Sequence, residues 1–97
     1  MHKLITVAAV ALGACSTAPA QPPARGETPG HQCQPTGLAR FAGQSATAET
    51  GAEILRISDA AVLRWVQPGQ MVTMEYRADR VTVWLAAGNR IDRVSCG

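Results

Sequence analysis

The chain has 97 residues, 46% of them hydrophobic and 16% charged, and carries a net charge of +2 at pH 7. This length allows one small domain and excludes a two-lobed enzyme and a cofactor-binding fold. The basic residues are scattered, without a run or an interleaved aromatic patch, so we do not expect nucleic acid as a partner.

Residues 1–14 have the pattern of an export signal. His2 and Lys3 form a positive end, and the apolar run over residues 4–12 is too short to span a bilayer. Such a segment is removed from the mature protein and takes no part in the fold.

The end of this segment, Leu12-Gly13-Ala14-Cys15, resembles the cleavage box of bacterial lipoproteins. The resemblance implies that Cys15 becomes a lipidated first residue, which anchors the protein to the membrane of the cell envelope. By the same resemblance, Ser16 points to the outer membrane, with the protein facing the periplasm. An ordinary secretory signal with an incidental cysteine is the alternative, and it implies a secreted protein.

Residues 15–32 are predicted to form a tether between the lipid and a domain at residues 33–97. The tether is rich in proline, has no aromatic residue and offers too little apolar surface to fold by itself. We expect a semi-extended spacer in which His31 is solvated. The pair His31-x-Cys33 lacks further ligands, so no metal site is expected.

The chain has three cysteines, an odd number that normally indicates a free thiol. If Cys15 carries lipid, Cys33 and Cys96 remain as a pair, and the oxidising compartment of an exported protein favours their disulfide. A bridge that closes so long a loop stabilises a domain by about 4 kcal/mol in the chain-entropy model.

One helix is predicted near the start of the domain. Phe41 precedes it, in a short helical or irregular segment, and is expected in the core. Ser45 is a favourable N-cap for a helix over residues 46–57. The residues predicted on the apolar face of this helix are Ala48, Ala52 and Leu55.

Three strands are predicted after the helix, which makes the domain α+β. In the second strand, Val81, Val83 and Leu85 are predicted to project to one side of the sheet, and Arg80, Thr82 and Trp84 to the other. For Trp65 in the first strand, a core position and a partly exposed position both stay open. The connection between these two strands is long for a small domain, and loops of that length are usually functional. The predicted strands cover residues 61–66, 80–85 and 91–96.

The long connection contains Val72-Thr73-Met74-Glu75-Tyr76-Arg77, whose alternation by itself favours a half-buried strand. With Asp79-Arg80-Val81 after it, however, the segment resembles the reactive-site loop and following strand of the potato inhibitor type I family. Gly43-Gln44-Ser45 resembles the start of that family's helix, and residues 91–94 resemble its closing strand. Cys33 and Cys96-Gly97 resemble a bacterial branch, peptidase inhibitor family 78.

This resemblance covers residues 33–97 and implies one helix packed on a small mixed sheet of about three strands. It also implies a serine protease inhibitor that presents residues 69–79 to the protease as a substrate-like loop. Met74 then corresponds to P1, and Met74–Glu75 is the scissile bond. The other loop residues implied to contact the protease are Val72, Thr73 and Tyr76.

An unbranched methionine at P1 suits the apolar pocket of chymotrypsin-like or subtilisin-like proteases and not the acidic pocket of trypsin-like ones. The family supports its loop with arginines from below, and the matching residue is Arg80, which is expected to reach Thr73 or Glu75. Arg77 is predicted as a further support. The second family arginine corresponds to Thr82, so the resemblance leaves one brace where the family often has two. Trp84 corresponds to an apolar aromatic residue of the family, which implies that it lies in the core.

Catalysis is not expected, because the domain has neither a histidine base nor a recognisable acid/base pair of carboxylates, and no glycine-rich phosphate loop. We expect no cofactor and a monomer. Two rival interpretations stay open. One is a non-inhibitory envelope lipoprotein that binds another protein, favoured by any large exposed apolar patch away from the loop. The other is a degenerate inhibitor that proteases cut, favoured by Thr82.

Overall fold

The protein was analysed as a computed structural model, which describes residues 26–97. The predicted export signal, Cys15 and the first part of the predicted tether lie outside the described residues. Among the helices of the described part, none has the length and apolar character needed to cross a membrane. The elements are a short 3-10 helix, Ala39–Phe41, one α-helix, α1 (Ala48–Ser58), and three strands, β1 (Val62–Val66), β2 (Arg80–Ala86) and β3 (Arg90–Cys96).

The strands form one mixed sheet in the order β1-β2-β3, which confirms the predicted α+β architecture. β1 is parallel to β2, and β2 is antiparallel to β3. Because Val62 at the start of β1 pairs with Arg80 at the start of β2, the chain that leaves β1 at Val66 must return along the length of the strand. That distance is roughly 13 Å. The parallel pairing therefore explains why the connection is long and extended.

The core lies between α1 and one face of the sheet. Alternate residues of β2 project into it, as predicted, and Val81 and Val83 are completely buried. Phe41 is also buried, as expected. The full buried apolar cluster comprises Cys33, Leu38, Phe41, Ile54, Ala60, Val81, Val83, Leu85 and Ile91.

The start of the helix differs from the prediction. Thr47, not Ser45, is the N-cap, and its Oγ1 accepts a hydrogen bond from the N–H of Thr50 at 3.1 Å. Ser45 instead forms an isolated bridge with Arg90, which uses its backbone for contact with β3. Both residue types cap helices well, so the contact with β3 decides between them.

The predicted apolar face of α1 is wrong at two of its three residues. Ala48 and Ala52 are exposed, whereas Leu55 is partly buried against the core. The fully buried residues of the helix are Gly51, Ile54 and Ser58. Gly51 faces the sheet and lies so close to β1 that a Cβ there would be 2.8 Å from Cζ2 of the Trp65 ring. Because glycine does not count as an apolar residue in a periodicity pattern, the prediction placed the buried face of the helix elsewhere.

Trp84 is not a core residue, contrary to the prediction. It is partly buried on the sheet face opposite α1, because it alternates with Val83 along β2. The guanidinium of Arg93 lies 4.2 Å from its ring centroid, and its Nε1 donates to Ser95 Oγ at 3.4 Å. Trp84 therefore belongs to the face of the sheet that carries the long connection.

The predicted disulfide between Cys33 and Cys96 is confirmed, with a sulfur–sulfur distance of 2.12 Å. It joins the chain before the 3-10 helix to the end of β3. Next to the bridge, the N–H of Cys33 donates to the Ala78 oxygen at 2.8 Å. The disulfide therefore lies close to the point where the long connection enters β2.

Candidate functional site

The connection between β1 and β2, residues 67–79, begins with a tight turn. The N–H of Gln70 donates to the Gln67 oxygen at 3.0 Å, and Gln70 Oε1 accepts from the N–H of Gln67 at 2.9 Å. Pro68 and Gly69 occupy the centre, and Gly69 has a φ of 75°, as a type II turn requires. This closed turn fixes the direction in which the loop leaves the sheet.

The loop carries three of the four large apolar side chains that are exposed in the described part of the chain. Met71, Met74 and Tyr76 are 93%, 87% and 69% exposed, and the other large exposed apolar residue is Val62 on β1. Val72 and Arg77 are partly buried, whereas Thr73 and Glu75 are exposed. Apolar groups concentrated on one exposed segment indicate a surface that another molecule covers. Trp65, by contrast, is partly buried against Gly51.

Arg80 lies beneath the loop and is 9% exposed. Its Nη2 donates to the main-chain oxygen of Glu75 at 2.7 Å, and its Nε donates to the Gly97 oxygen at 3.1 Å. The sequence pointed to Thr73 or Glu75 side chains, and the contact is instead with the Glu75 backbone. Burial, and then the charge of Arg64, lower the pKa of Arg80, although a guanidinium stays charged at neutral pH.

A second arginine, Arg64 on β1, also supports the loop and was missed by the sequence analysis. Its Nη1 donates to the main-chain oxygen of Thr73 at 3.2 Å. Its Nε is buried without a hydrogen-bond partner among residues 26–97. Arg64 and Thr82 are direct partners across the parallel strands. Only that register, which the sequence does not reveal, places Arg64 beneath the loop.

Thr82, at which the resemblance implied the loss of a second supporting arginine, contacts the chain after β3. Its Oγ1 donates to the Gly97 oxygen at 2.6 Å, and the N–H of Gly97 donates to the Arg80 oxygen at 2.8 Å. A Cβ on Gly97 would lie 3.1 Å from Cδ2 of Tyr76, so the ring of this loop residue packs directly on the chain after β3. Gly97, directly after β3, thus lies between the sheet and the loop.

Together, Arg64 and Arg80 hold the carbonyl groups on both sides of Met74. The oxygens of Thr73 and Glu75 each accept a bond from a guanidinium below, whereas the Met74 oxygen has no hydrogen-bond partner in the described part of the chain. The backbone around Met74 is therefore fixed from one side, while its side chain projects into solvent. Such a segment offers one apolar side chain and one free carbonyl in a preorganised conformation.

The far end of the loop is held by Asp79, which is 1% exposed. Arg77 Nε donates to Asp79 Oδ1 at 3.1 Å, and Arg77 Nη2 donates to Oδ2 at 3.2 Å. The hydroxyl of Thr28 also donates to Oδ2, at 2.6 Å. The hydrogen bonds from Arg77, and to a smaller extent the one from Thr28, hold the pKa of Asp79 below its usual value. The hydrogen bond to Asp79 in turn raises the pKa of Arg77. Arg77 therefore contacts the end of the loop and not the segment around Met74.

The space beneath the loop is a cleft of about 280 Å³. Within residues 26–97, no group of three or more histidine, cysteine and carboxylate side chains is placed to hold a metal ion. The side chains that line the cleft come from the loop, from β1 and from the outer face of β2 and β3. They include Arg64, Glu75, Thr82, Trp84, Arg93 and Ser95.

Comparison with known proteins places this geometry in context. No curated protein matches the chain. Among solved structures, it is similar to the trypsin inhibitor of bitter gourd, with a TM-score of 0.56 and 25% identity, over 68% of this chain and 98% of that inhibitor. The structure of the elastase inhibitor AFUEI is 28% identical, with a TM-score of 0.47, over 59% of this chain and 78% of that one.

The family assignment comes from the sequence of the domain. Residues 33–97 match the model of the peptidase inhibitor I78 family, and this range includes both disulfide cysteines, the whole sheet and the loop. The match covers well over half of the chain. The chain belongs to the peptidase inhibitor I78 family.

Proposed function

We propose that this protein inhibits serine proteases with an apolar primary pocket, by presenting residues 69–79 as a substrate-like loop. Met74 is the P1 residue, and Met74–Glu75 is the bond offered to the protease. The observation that carries this proposal is the pair of guanidinium contacts to the Thr73 and Glu75 oxygens, which fix the backbone around an exposed methionine. The family assignment supports peptidase inhibition independently.

The two contacts explain how such a loop resists turnover. In the complex, the protease serine attacks the Met74 carbonyl carbon, and the free Met74 oxygen enters the oxyanion hole. Arg64 holds the segment that ends at the acylated Met74, through its bond to the Thr73 oxygen. Arg80 holds the segment that begins with the new amino group of Glu75, through its bond to the Glu75 oxygen. Because the new amino group stays next to the acyl-enzyme, re-formation of the bond competes with hydrolysis. The complex therefore persists.

The P1 side chain sets the class of protease. Met74 is apolar, flexible and unbranched, and it suits the pockets of chymotrypsin-like and subtilisin-like enzymes. The similar bitter gourd protein is a trypsin inhibitor by its description. A methionine offers no positive charge to the acidic pocket of trypsin, so we place the target of this chain among proteases with apolar pockets. Val72, Thr73 and Tyr76 supply the flanking contacts.

The location of the protein is also part of the proposal. The pattern over residues 1–16 supports export and lipidation of Cys15, with the inhibitor domain facing the periplasm from the outer membrane. The likeness to a bacterial branch related to the potato inhibitor type I family supports the same setting. The proposed inhibition needs no second copy, because the loop and the two arginines that hold it belong to one chain, and the proposal keeps the expectation of a monomer.

Inhibition assays with the purified full-length chain test the proposal, using subtilisin, chymotrypsin, elastase and trypsin. We expect slow, tight inhibition of enzymes with apolar pockets, in the nanomolar range that corresponds to about −12 kcal/mol. Mass spectrometry of the mixture should find any cut only at Met74–Glu75. Rapid cutting without inhibition would identify a degenerate inhibitor. If the chain neither inhibits any enzyme of the panel nor is cut by it, the result would favour the alternative of a lipoprotein that binds another protein through a different surface.

A further inference from the structure

The segment over residues 26–31, which precedes the region matched by the family model, is docked on the end of the loop. The Gly26 oxygen accepts a hydrogen bond from the N–H of Asp79 at 3.0 Å. Thr28 Oγ1 donates to Asp79 Oδ2 at 2.6 Å. Gly26 is buried, and a Cβ there would lie 3.2 Å from Cγ of Arg77. The predicted tether is thus in contact with the domain over this part.

The docked segment is also constrained locally. The N–H of His31 donates to the Thr28 oxygen at 2.9 Å, closing a turn in which Gly30 has a φ of 78°. His31 Nδ1 lies 3.1 Å from the Asp59 oxygen at the end of α1. Two residues later, Cys33 joins the disulfide. Residues 26–33 are therefore held at both ends and at the turn.

Asp79 is the point at which this segment, the loop and the sheet meet. Its main-chain oxygen accepts bonds from the N–H groups of Ala61 and Val62, at 2.8 and 3.2 Å, so it is attached to the start of β1. Its carboxylate accepts two bonds from Arg77 and one from Thr28. Of these side-chain donors, only Thr28 comes from outside the loop and the sheet, so it adds a constraint that the loop cannot provide for itself.

We propose that residues 26–31 act as a clasp that positions the C-terminal half of the reactive loop, and that the inhibitory unit includes this segment as well as the domain from Cys33 onward. This inference rests on the proposed function of the loop. After attack at Met74, the departing segment begins at Glu75 and runs to Asp79. The clasp fixes the far end of this segment, and Thr28 is its positioning residue. Without the clasp, the new amino group of Glu75 moves farther from the acyl-enzyme, which favours hydrolysis over re-formation of the bond.

The test compares Thr28→Val with Thr28→Ser in the full-length chain. Valine keeps the shape and removes the hydroxyl, whereas serine keeps the donor. We expect cleavage of the loop by subtilisin, within the complex, to be faster in Thr28→Val by on the order of tenfold, the factor that one hydrogen bond to a charged group contributes. Thr28→Ser should restore the parental rate. Thr36→Val, at an exposed threonine whose hydroxyl makes no hydrogen bond within residues 26–97, measures the general effect of the substitution.

A second readout does not require inhibition. Hydrogen exchange of the Asp79 amide, which donates to Gly26, should accelerate in Thr28→Val and stay parental in Thr28→Ser and Thr36→Val. Parental cleavage and parental exchange in Thr28→Val would overturn the clasp. If the parent protein itself fails to inhibit any enzyme of the panel, the proposed function fails, and the exchange rates still decide whether the clasp exists.

Discussion

Arg64 on β1 lies directly opposite Thr82 on β2, and its guanidinium reaches past that shorter side chain to the main-chain oxygen of Thr73. The loop therefore has a second supporting arginine, which comes from the strand next to β2. Thr82 in turn binds the Gly97 oxygen. Its presence at this position, which in the sequence suggested a weakened loop, is therefore compatible with a loop held on both sides of Met74.

Arg64→Met tests the support of the loop by Arg64. Methionine retains most of the aliphatic volume and removes both the bond to Thr73 and the buried Nε that has no partner in the described chain. Because loss of an unsatisfied donor offsets loss of a bond, we expect the free energy of unfolding to change by less than about 1 kcal/mol. Cleavage of the loop in complex with subtilisin should nevertheless become faster by about tenfold.

The control for this variant is Arg56→Met, at an exposed arginine of α1. It should leave both the melting temperature and the cleavage rate at parental values. Equal cleavage rates for Arg64→Met and the parent would contradict the role of Arg64. A large loss of stability in Arg64→Met would show instead that the residue is needed for folding.

Met74→Lys tests the assignment of P1. A lysine at this position presents a positive charge to the acidic pocket of trypsin and disfavours apolar pockets, so inhibition should shift from subtilisin and chymotrypsin to trypsin. Inhibition constants against the three enzymes provide the measurement, and a change of at least about a hundredfold in their ratio is expected. Met71→Lys is the matched control, since Met71 is equally exposed on the same loop. If Met71→Lys shifts the ratio and Met74→Lys does not, P1 is misassigned.

The disulfide should supply a large part of the stability of so small a domain. It closes a segment with a sequence separation of 63, for which the chain-entropy model gives about 4 kcal/mol. The double variant Cys33→Ala, Cys96→Ala should therefore melt at least about 15 °C below the parent in thermal denaturation followed by circular dichroism. Cys15→Ser serves as the control and should melt at the parental temperature. A shift of less than a few degrees in the double variant would contradict this account.

Gly51→Ala should destabilise the domain, although alanine normally favours a helix by about 1 kcal/mol over glycine. Its Cβ would lie 2.8 Å from the Trp65 ring, and overpacking of this kind costs about 1–3 kcal/mol. Urea denaturation of Gly51→Ala in the parent and in a Trp65→Leu background gives a double-mutant cycle. In the second background alanine should be neutral or stabilising. Destabilisation of equal size in both would place the cause outside the Gly51–Trp65 contact.

The features that could be predicted from the sequence depend on a local residue pattern or, for the disulfide, on a choice among only three cysteines. Strand positions, the inward face of β2 and the disulfide follow from alternation and from cysteine count, and all three are confirmed. The errors have a common physical origin in tertiary contact. Gly51 is buried because of Trp65, Thr47 caps α1 because Ser45 contacts Arg90, and Arg64 reaches the loop because β1 is parallel to β2. The periodicity of apolar residues along the sequence contains no information about any of these contacts.

Acid should weaken the fold through Asp79. The hydrogen bonds from Arg77 and then Thr28 hold the pKa of this carboxyl below its unfolded value, so its stabilising contribution is fully present above that unfolded value, near pH 4. The contribution is lost as the pH falls through the lower folded pKa. Asp79→Asn should therefore be less stable than the parent at pH 7 and should lose less stability between about pH 4 and pH 2. Urea midpoints across this range measure both effects, with Asp92→Asn, at an exposed position of β3, as the control. An equal acid dependence in parent and Asp79→Asn would assign the acid sensitivity to other carboxylates and remove Asp79 as the anchor at which loop, sheet and clasp meet.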